Sequence, residues 1–157
     1  MMIQNLWLAI VLGFGMSQAH AVDFSGHWTG SGTMTQKDPF TGAHTSPCSL
    51  VDIQLEHLTD SLTIRHYHAI CGQIDSDWGP SKMEIRGTKV YEGDEETGTL
   101  EGDTLLTDES GSGTDYAFNL RLKTPEAGKT PVLESYYGVR NAVGVIVIEG
   151  NLQPLTR

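Results

Sequence analysis

The sharpest chemical feature of the chain is His66-Tyr67-His68. Two histidines at i and i+2 of a strand project to the same side. Neutral imidazoles in that arrangement suit a zinc or copper ion, the polar patch of a ligand cavity, or a plain structural role. A metal site needs a third ligand. His57 is the only other histidine expected on this face of the hairpin; it opposes Leu62, four residues from His66, or roughly 13 Å at about 3.3 Å per residue, which is too far. His27 and His44 lie elsewhere in the sequence. His66 and His68 are therefore candidate ligand contacts and, with a further ligand from another element, a candidate zinc site. No other cofactor is expected.

A second feature is acidic. Glu92, Asp94, Glu95, Glu96, Glu101, Asp103, Asp108, Glu109 and Asp115 fall between Tyr91 and Asp115, without a Lys or Arg. Gly93, Gly98, Gly102, Gly111 and Gly113 punctuate them, so they largely mark solvated turns. Such a rim also suits a basic partner. Calcium is a further option, although no Asp-x-Asp-x-Asp-Gly spacing is present. Signs of catalysis are few: there is no Gly-x-Ser-x-Gly elbow, no His-Glu-x-x-His and no phosphate-cradling glycine loop before a helix. Nothing points two carboxylates into a cleft. The chain reads as a binding protein, not an enzyme.

Leu6 to Met16 is an unbroken, largely apolar run, followed by Ser17, Gln18 and the small-x-small triplet Ala19-His20-Ala21. This is the pattern of a secretory signal peptide cut before Val22, and the run is shorter than the roughly 20 residues of a membrane-spanning helix. The expected location is periplasmic or secreted, with no membrane anchor after cleavage. Residues 22–157 are of single-domain size. The net charge of −10 belongs wholly to them, because residues 1–21 contain no Asp, Glu, Lys or Arg. That balance argues against nucleic acid and anionic membrane surfaces as partners. Cys48 and Cys71, the two cysteines, imply one disulfide in an oxidising compartment.

No sustained helical period appears after Val22. Short alternating runs separated by Gly, Asp, Asn, Ser and Pro predict an all-β fold, a single small antiparallel up-and-down barrel of about eight to ten strands. Strands are expected near Phe24–Thr35, Ser49–His57, Leu62–Ile70, Lys82–Arg86, Thr88–Glu92, Gly98–Glu101, Thr104–Thr107, Tyr116–Lys123, Val132–Val139 and Val143–Leu152. Loops are expected over Thr35–Pro47 and Gly72–Ser81.

The second hairpin defines its own register. With a turn centred on Thr59-Asp60, opposed residue numbers sum to 119, and so do those of Cys48 and Cys71. Opposed Cα atoms lie about 4.5–5.5 Å apart, inside the disulfide range. The same register places Val51, Ile53, Leu55 and His57 on one face with Leu62, Ile64, His66 and His68. This face is the more apolar and is expected inside, leaving the bridge and the Gln54–Arg65 pair on the outer wall. Met83, Ile85, Tyr116, Phe118, Leu120 and Leu122 mark further inward stripes. The last strand is apolar on both faces, with Val143, Val145 and Val147 on one and Ile146, Ile148 and Leu152 on the other. Either a loop or a second copy of the chain, docking through Val143–Leu152, is expected to cover the outer one.

The opening Asp23-Phe24-Ser25-Gly26-His27-Trp28 resembles the first strand of calycin barrels, the group of lipocalins and avidins, which carry Gly-x-Trp there. Thr114-Asp115-Tyr116 is similar to the lipocalin Thr-Asp-Tyr element. The resemblance implies a barrel with Trp28 closing one end, and a carrier of a small ligand. It departs from lipocalins in lacking a helix after the last large hairpin, with Arg157 the sole terminal candidate to cap Trp28. It departs from avidins in lacking their spread of tryptophans, since only Trp28 and Trp78 follow residue 21. Glycines 26, 30 and 32 would let the first strand bend so that Trp28 lies across the floor.

The expected function is binding of a small, partly apolar ligand, with His66, His68, Trp28 and Tyr116 as candidate contacts. The alternatives are an envelope interaction or inhibitor protein, gripping a basic partner through the acidic rim or the C-terminal strand, and a periplasmic metal-binding protein.

Overall fold

The computed structural model describes residues 22–111, 113–124 and 127–156. The signal peptide expected over residues 1–21 and the cap role considered for Arg157 lie outside the described residues. Twelve strands follow in order: β1 Gly26–Asp38, β2 Gly42–Leu58, β3 Ser61–Cys71, β4 Ile74–Trp78, β5 Ser81–Arg86, β6 Lys89–Glu92, β7 Glu95–Glu101, β8 Thr104–Thr107, β9 Glu109–Gly111, β10 Thr114–Lys123, β11 Val132–Asn141 and β12 Gly144–Pro154. There is no helix among the described residues.

All pairings are antiparallel. Ten strands close a hydrogen-bonded ring in the order β1-β2-β3-β5-β6-β7-β8-β10-β11-β12, with β12 returning to β1. The other two are partial neighbours. β3 pairs with β5 over Ser61–Ile64 and with β4 over Tyr67–Cys71. β10 likewise pairs with β8 at Leu120 and Arg121 but with β9 at Thr114–Tyr116. At these two places the wall is made of successive short strands.

Period-two alternation accounts for the core. Val51, Ile53 and Leu55 from β2, Leu62 and Ile64 from β3, Phe118, Leu120 and Leu122 from β10, and Ile148 and Leu152 from β12 all point inward and are buried. One end is stopped by Phe24 and Trp28. The Trp28 indole N–H donates to the Phe24 carbonyl at 3.0 Å, and the segment before β1 is stitched to the end of β2 by the His57 N–H donating to Ser25 Oγ at 2.9 Å. Close packing of β1 on β12 explains the glycine at position 32: a Cβ there would stand 2.2 Å from the Glu149 carbonyl oxygen.

The second hairpin departs from the expected register in a way that reverses one of its faces. Pairs sum to 119 from Leu58↔Ser61 to Leu55↔Ile64, then to 120 from Gln54↔His66 to Leu50↔Ile70, and return to 119 at Cys48↔Cys71. Arg65 is the extra residue of one bulge and Ser49 of the other, and their shifts cancel. The cysteines are therefore opposed and bonded, with Cα atoms 3.9 Å apart. The side chains between the bulges do not follow the simple alternation. Tyr67, Ala69 and Cys71 point inward and are buried, while His66 and His68 point outward. The bridge lies in the core, not on the outer wall, and Arg65 pairs with Glu56 instead of Gln54.

The physical reason is burial. A Tyr ring contributes far more apolar area than an imidazole, and two imidazoles in an apolar interior would need hydrogen-bond partners. A bulge shifts the phase by one residue to make this exchange. Gly79 accommodates the Arg65 bulge from the far side. Its φ is +128°, and a Cβ there would lie 2.9 Å from the Arg65 carbonyl oxygen.

Two expected loops are strands. Residues 36–47 extend the β1–β2 hairpin, and residues 74–78 form β4. In the first, neither face is buried, so no alternation could develop. On β12, Val145 and Val147 do face outward and Val143 is exposed. The Tyr136 ring fills the place over Gly138, the cross-strand partner of Val147.

Candidate functional site

At the end of the ring away from Trp28 lies a cavity of about 340 Å³, within the lower range of small-molecule sites. Trp78, Phe118 and Tyr137 form its aromatic wall, extended by Ile64 and Met83. Pairing sets these directions. Trp78 is the cross-strand partner of Tyr67 and Tyr137 that of Phe118, so each pair shares the inner face. Trp78 stacks on Tyr67 with centroids 5.0 Å apart and meets Phe118 edge-on at 5.8 Å. Tyr137 lies 5.4 Å from Trp78. Burial pushes the Tyr67 hydroxyl above its usual range, with the neighbouring Tyr137 adding to it. Burial does the same to Tyr137, helped by Tyr116. Both phenols thus stay neutral at physiological pH.

The polar part of the lining comes from β5 to β9. Ser81 opposes Ile64 and so points inward; its hydroxyl donates to Glu92 Oε1 at 2.9 Å. Glu109 on β9 pairs with Tyr116 on β10, which places both on the inner face. Burial raises the Glu109 carboxyl above the ordinary Glu value; the Glu92 charge, a hydrogen bond shared with Glu92, and Glu95 raise it further. The Thr107 side chain ties β8 to β10 beyond the point where their ladder ends. Its hydroxyl donates to the Phe118 carbonyl at 2.7 Å and accepts the Phe118 N–H at 2.9 Å.

Thr97 is placed by a third bulge. The β6–β7 register moves by one between Val90↔Gly98 and Tyr91↔Glu96, leaving Thr97 as the extra residue of β7. The shift turns Glu96 outward, where Lys89 Nζ holds it at 2.6 Å. Thr97 instead lines the cavity, 5% exposed. Its Oγ1 and the Trp78 Nε1 are buried atoms without a hydrogen-bond partner among the described residues. Two unsatisfied polar atoms on the lining of one cavity are an unusual concentration.

Of the expected contacts, only Tyr116 lines this cavity. It stands at the lip, 43% exposed. Trp28 lies at the closed end, its indole held by the Phe24 carbonyl, and does not line the cavity. His66 and His68 lie outside the ring. Each is held by its own aspartate, His66 Nε2 to Asp77 Oδ1 and His68 Nε2 to Asp75 Oδ1, both at 2.9 Å. A third such pair, His27 Nε2 with Asp52 Oδ2 at 2.6 Å, lies on the same outer wall. Among the described residues no group of three or more His, Cys, Asp or Glu converges as a metal site.

Sequence reasoning missed Trp78, Thr97, Glu92 and Glu109 as site residues. Trp78 falls in an expected loop, and the two glutamates belong to an acidic stretch that reads as solvated turns. The one available signal was the alternation Ile74, Ser76, Trp78, which reads as a short strand. No protein-family model matches the chain, and no curated protein matches it.

Proposed function

We propose that the protein is an exported binding module for a small, partly apolar molecule, built on a calycin-like barrel and not an enzyme. The observation that carries this reading is the aromatic-walled cavity of about 340 Å³ with two buried, unpartnered polar atoms on its lining. An unpaired buried hydroxyl costs stability, and a ligand that supplies the missing partner recovers it. The closed ring of antiparallel strands and the Gly26-His27-Trp28 start of β1 at its sealed end support the calycin-like architecture. The buried Cys48–Cys71 bridge supports export to an oxidising compartment.

The test is a thermal-shift screen of small, partly apolar compounds on the wild type and on Thr97→Phe, whose ring would occupy the cavity. A ligand at 100 times its Kd stabilises the folded state by about 2.7 kcal/mol. Compounds that raise the wild-type Tm should lose that effect in Thr97→Phe. Hits that persist in the variant bind elsewhere, and the cavity reading then fails.

A further inference from the structure

We propose that the cavity takes a cation: a protonated amine on a compact apolar or aromatic body, its nitrogen seated between Glu92 and Glu109. This deepens the ligand-binding reading and rests on it. Glu92 reaches the cavity from β6 and Glu109 from β9, close enough for the Glu92 charge to help raise the Glu109 carboxyl. Neither forms an ion pair with a Lys, Arg or His among the described residues; the acidic groups that do are Glu56, Glu84, Glu96, Glu134, Asp52, Asp75, Asp77 and Asp103. The bulge at Thr97 sharpens the contrast, since it sends Glu96 out to Lys89 while the cavity-facing Glu92 accepts the Ser81 hydroxyl.

Two carboxyls in a partly buried mouth without a counter-charge form a site of one sign. An anionic ligand would be repelled there. A bare metal ion is the poorer occupant, because no third ligating carboxylate or imidazole converges on the pair among the described residues. The same cavity is lined by the rings of Trp78, Phe118 and Tyr137, and aromatic rings attract organic cations. An amine nitrogen has donors for both carboxylates, and its apolar body has the aromatic wall. The unpartnered Trp78 Nε1–H can only donate, so it favours a ligand that also carries an acceptor, such as a hydroxyl or carbonyl oxygen.

The charge on the site depends on pH through Glu109. The titratable groups facing it are Glu92 on β6, Glu95 on β7, Tyr116 on β10 and, within the cavity, Tyr137 on β11. Burial and the Glu92 charge hold the Glu109 carboxyl above the ordinary Glu value, so it gains its charge, and the amine its affinity, as pH rises.

The experiment is calorimetric titration of the full protein with 2-phenylethylamine, 2-phenylethanol and 3-phenylpropionate, which share a ring and differ in charge. The amine is expected to bind about tenfold or more tighter than the alcohol, and the alcohol tighter than the acid. Glu109→Gln and Glu92→Gln should each remove most of the amine's advantage while leaving alcohol binding intact, which also shows that the variants are folded. Repeating the amine titration in buffers of different ionisation enthalpy should reveal proton release from the pair. If the alcohol or the acid binds as tightly as the amine, the cavity is a ligand site but the cation assignment is overturned. If none of the three binds at millimolar concentration, both the assignment and the ligand-binding reading fail.

Discussion

Replacing Thr97 by Val should stabilise the protein, against the usual direction for a change at a buried position. The Thr97 side chain is packed inside but its Oγ1 has no hydrogen-bond partner. A buried hydroxyl left unsatisfied costs about 1–3 kcal/mol. Valine keeps the β-branched shape that a strand favours and substitutes a methyl group for the hydroxyl, removing the cost without opening a void. The expected gain is about 1–2 kcal/mol. At about 2–4 °C per kcal/mol for a chain of this length, Tm rises by several degrees.

Thr107→Val supplies the matched control. Thr107 lines the same cavity, but its Oγ1 makes two hydrogen bonds to the Phe118 backbone. The same chemical change there strips partners from a strand junction and should destabilise by about 1–3 kcal/mol. Urea unfolding of the wild type and both variants, with m-values checked for constancy, reads the two signs directly. Equal destabilisation by both substitutions would refute the reasoning. It would mean that the Thr97 hydroxyl is satisfied, for instance by an ordered water, and that the cavity lacks one of the atoms assigned to a ligand.

Removing the bridge by Cys48→Ala with Cys71→Ala should lower stability by about 3 kcal/mol, from the chain-entropy cost of a loop with a sequence separation of 23; chemical denaturation checks it. Glu109→Gln should flatten one component of the pH dependence. A carboxyl raised in the folded state binds more protons there than in the unfolded chain, so its contribution to stability falls as pH rises from the unfolded value through the folded one. Melting temperatures from pH 4 to 8 should show the variant gaining on the wild type as pH increases, and parallel curves would count against the raised carboxyl. His66→Trp should change stability by no more than about 0.5 kcal/mol and leave cavity ligands bound, as measured by thermal shift, because His66 lies on the outer wall.

Much of the strand pattern was legible because most strands bury one face. Thr104–Thr107 and Ser81–Arg86 follow runs whose alternation is plain in the residues themselves. The tip of the β1–β2 hairpin was not legible, since both its faces are wet and burial imposes no period. β4 was hidden for a different reason: its outward positions are Asp75 and Asp77, charged partners of His68 and His66, and these mask the weak alternation of Ile74, Ser76 and Trp78. The carboxylates of the site were counted correctly but could not be told apart. Which glutamate of a Gly-rich acidic stretch faces a cavity depends on pairings with β5 and β10, and those are not local.

The hairpin register shows why a correct end point does not guarantee a correct path. The opposition of Cys48 and Cys71 agrees with a turn-derived register, yet two bulges intervene and cancel. A check at the far end of a strand sees only the sum of the shifts. The faces between them are decided locally, and the residues do hold a cue: Leu62 and Ile64 are in one phase, while Tyr67, Ala69 and Cys71 are in the other, with Arg65 at the break. Reading that break as a bulge puts the aromatic ring inside and the imidazoles outside, as found. The Thr97 bulge follows the same logic at the cavity, where one extra residue exports Glu96 to Lys89 and brings a hydroxyl to the lining. Regular alternation builds the core of this protein, and departures from it set the chemistry at its open end.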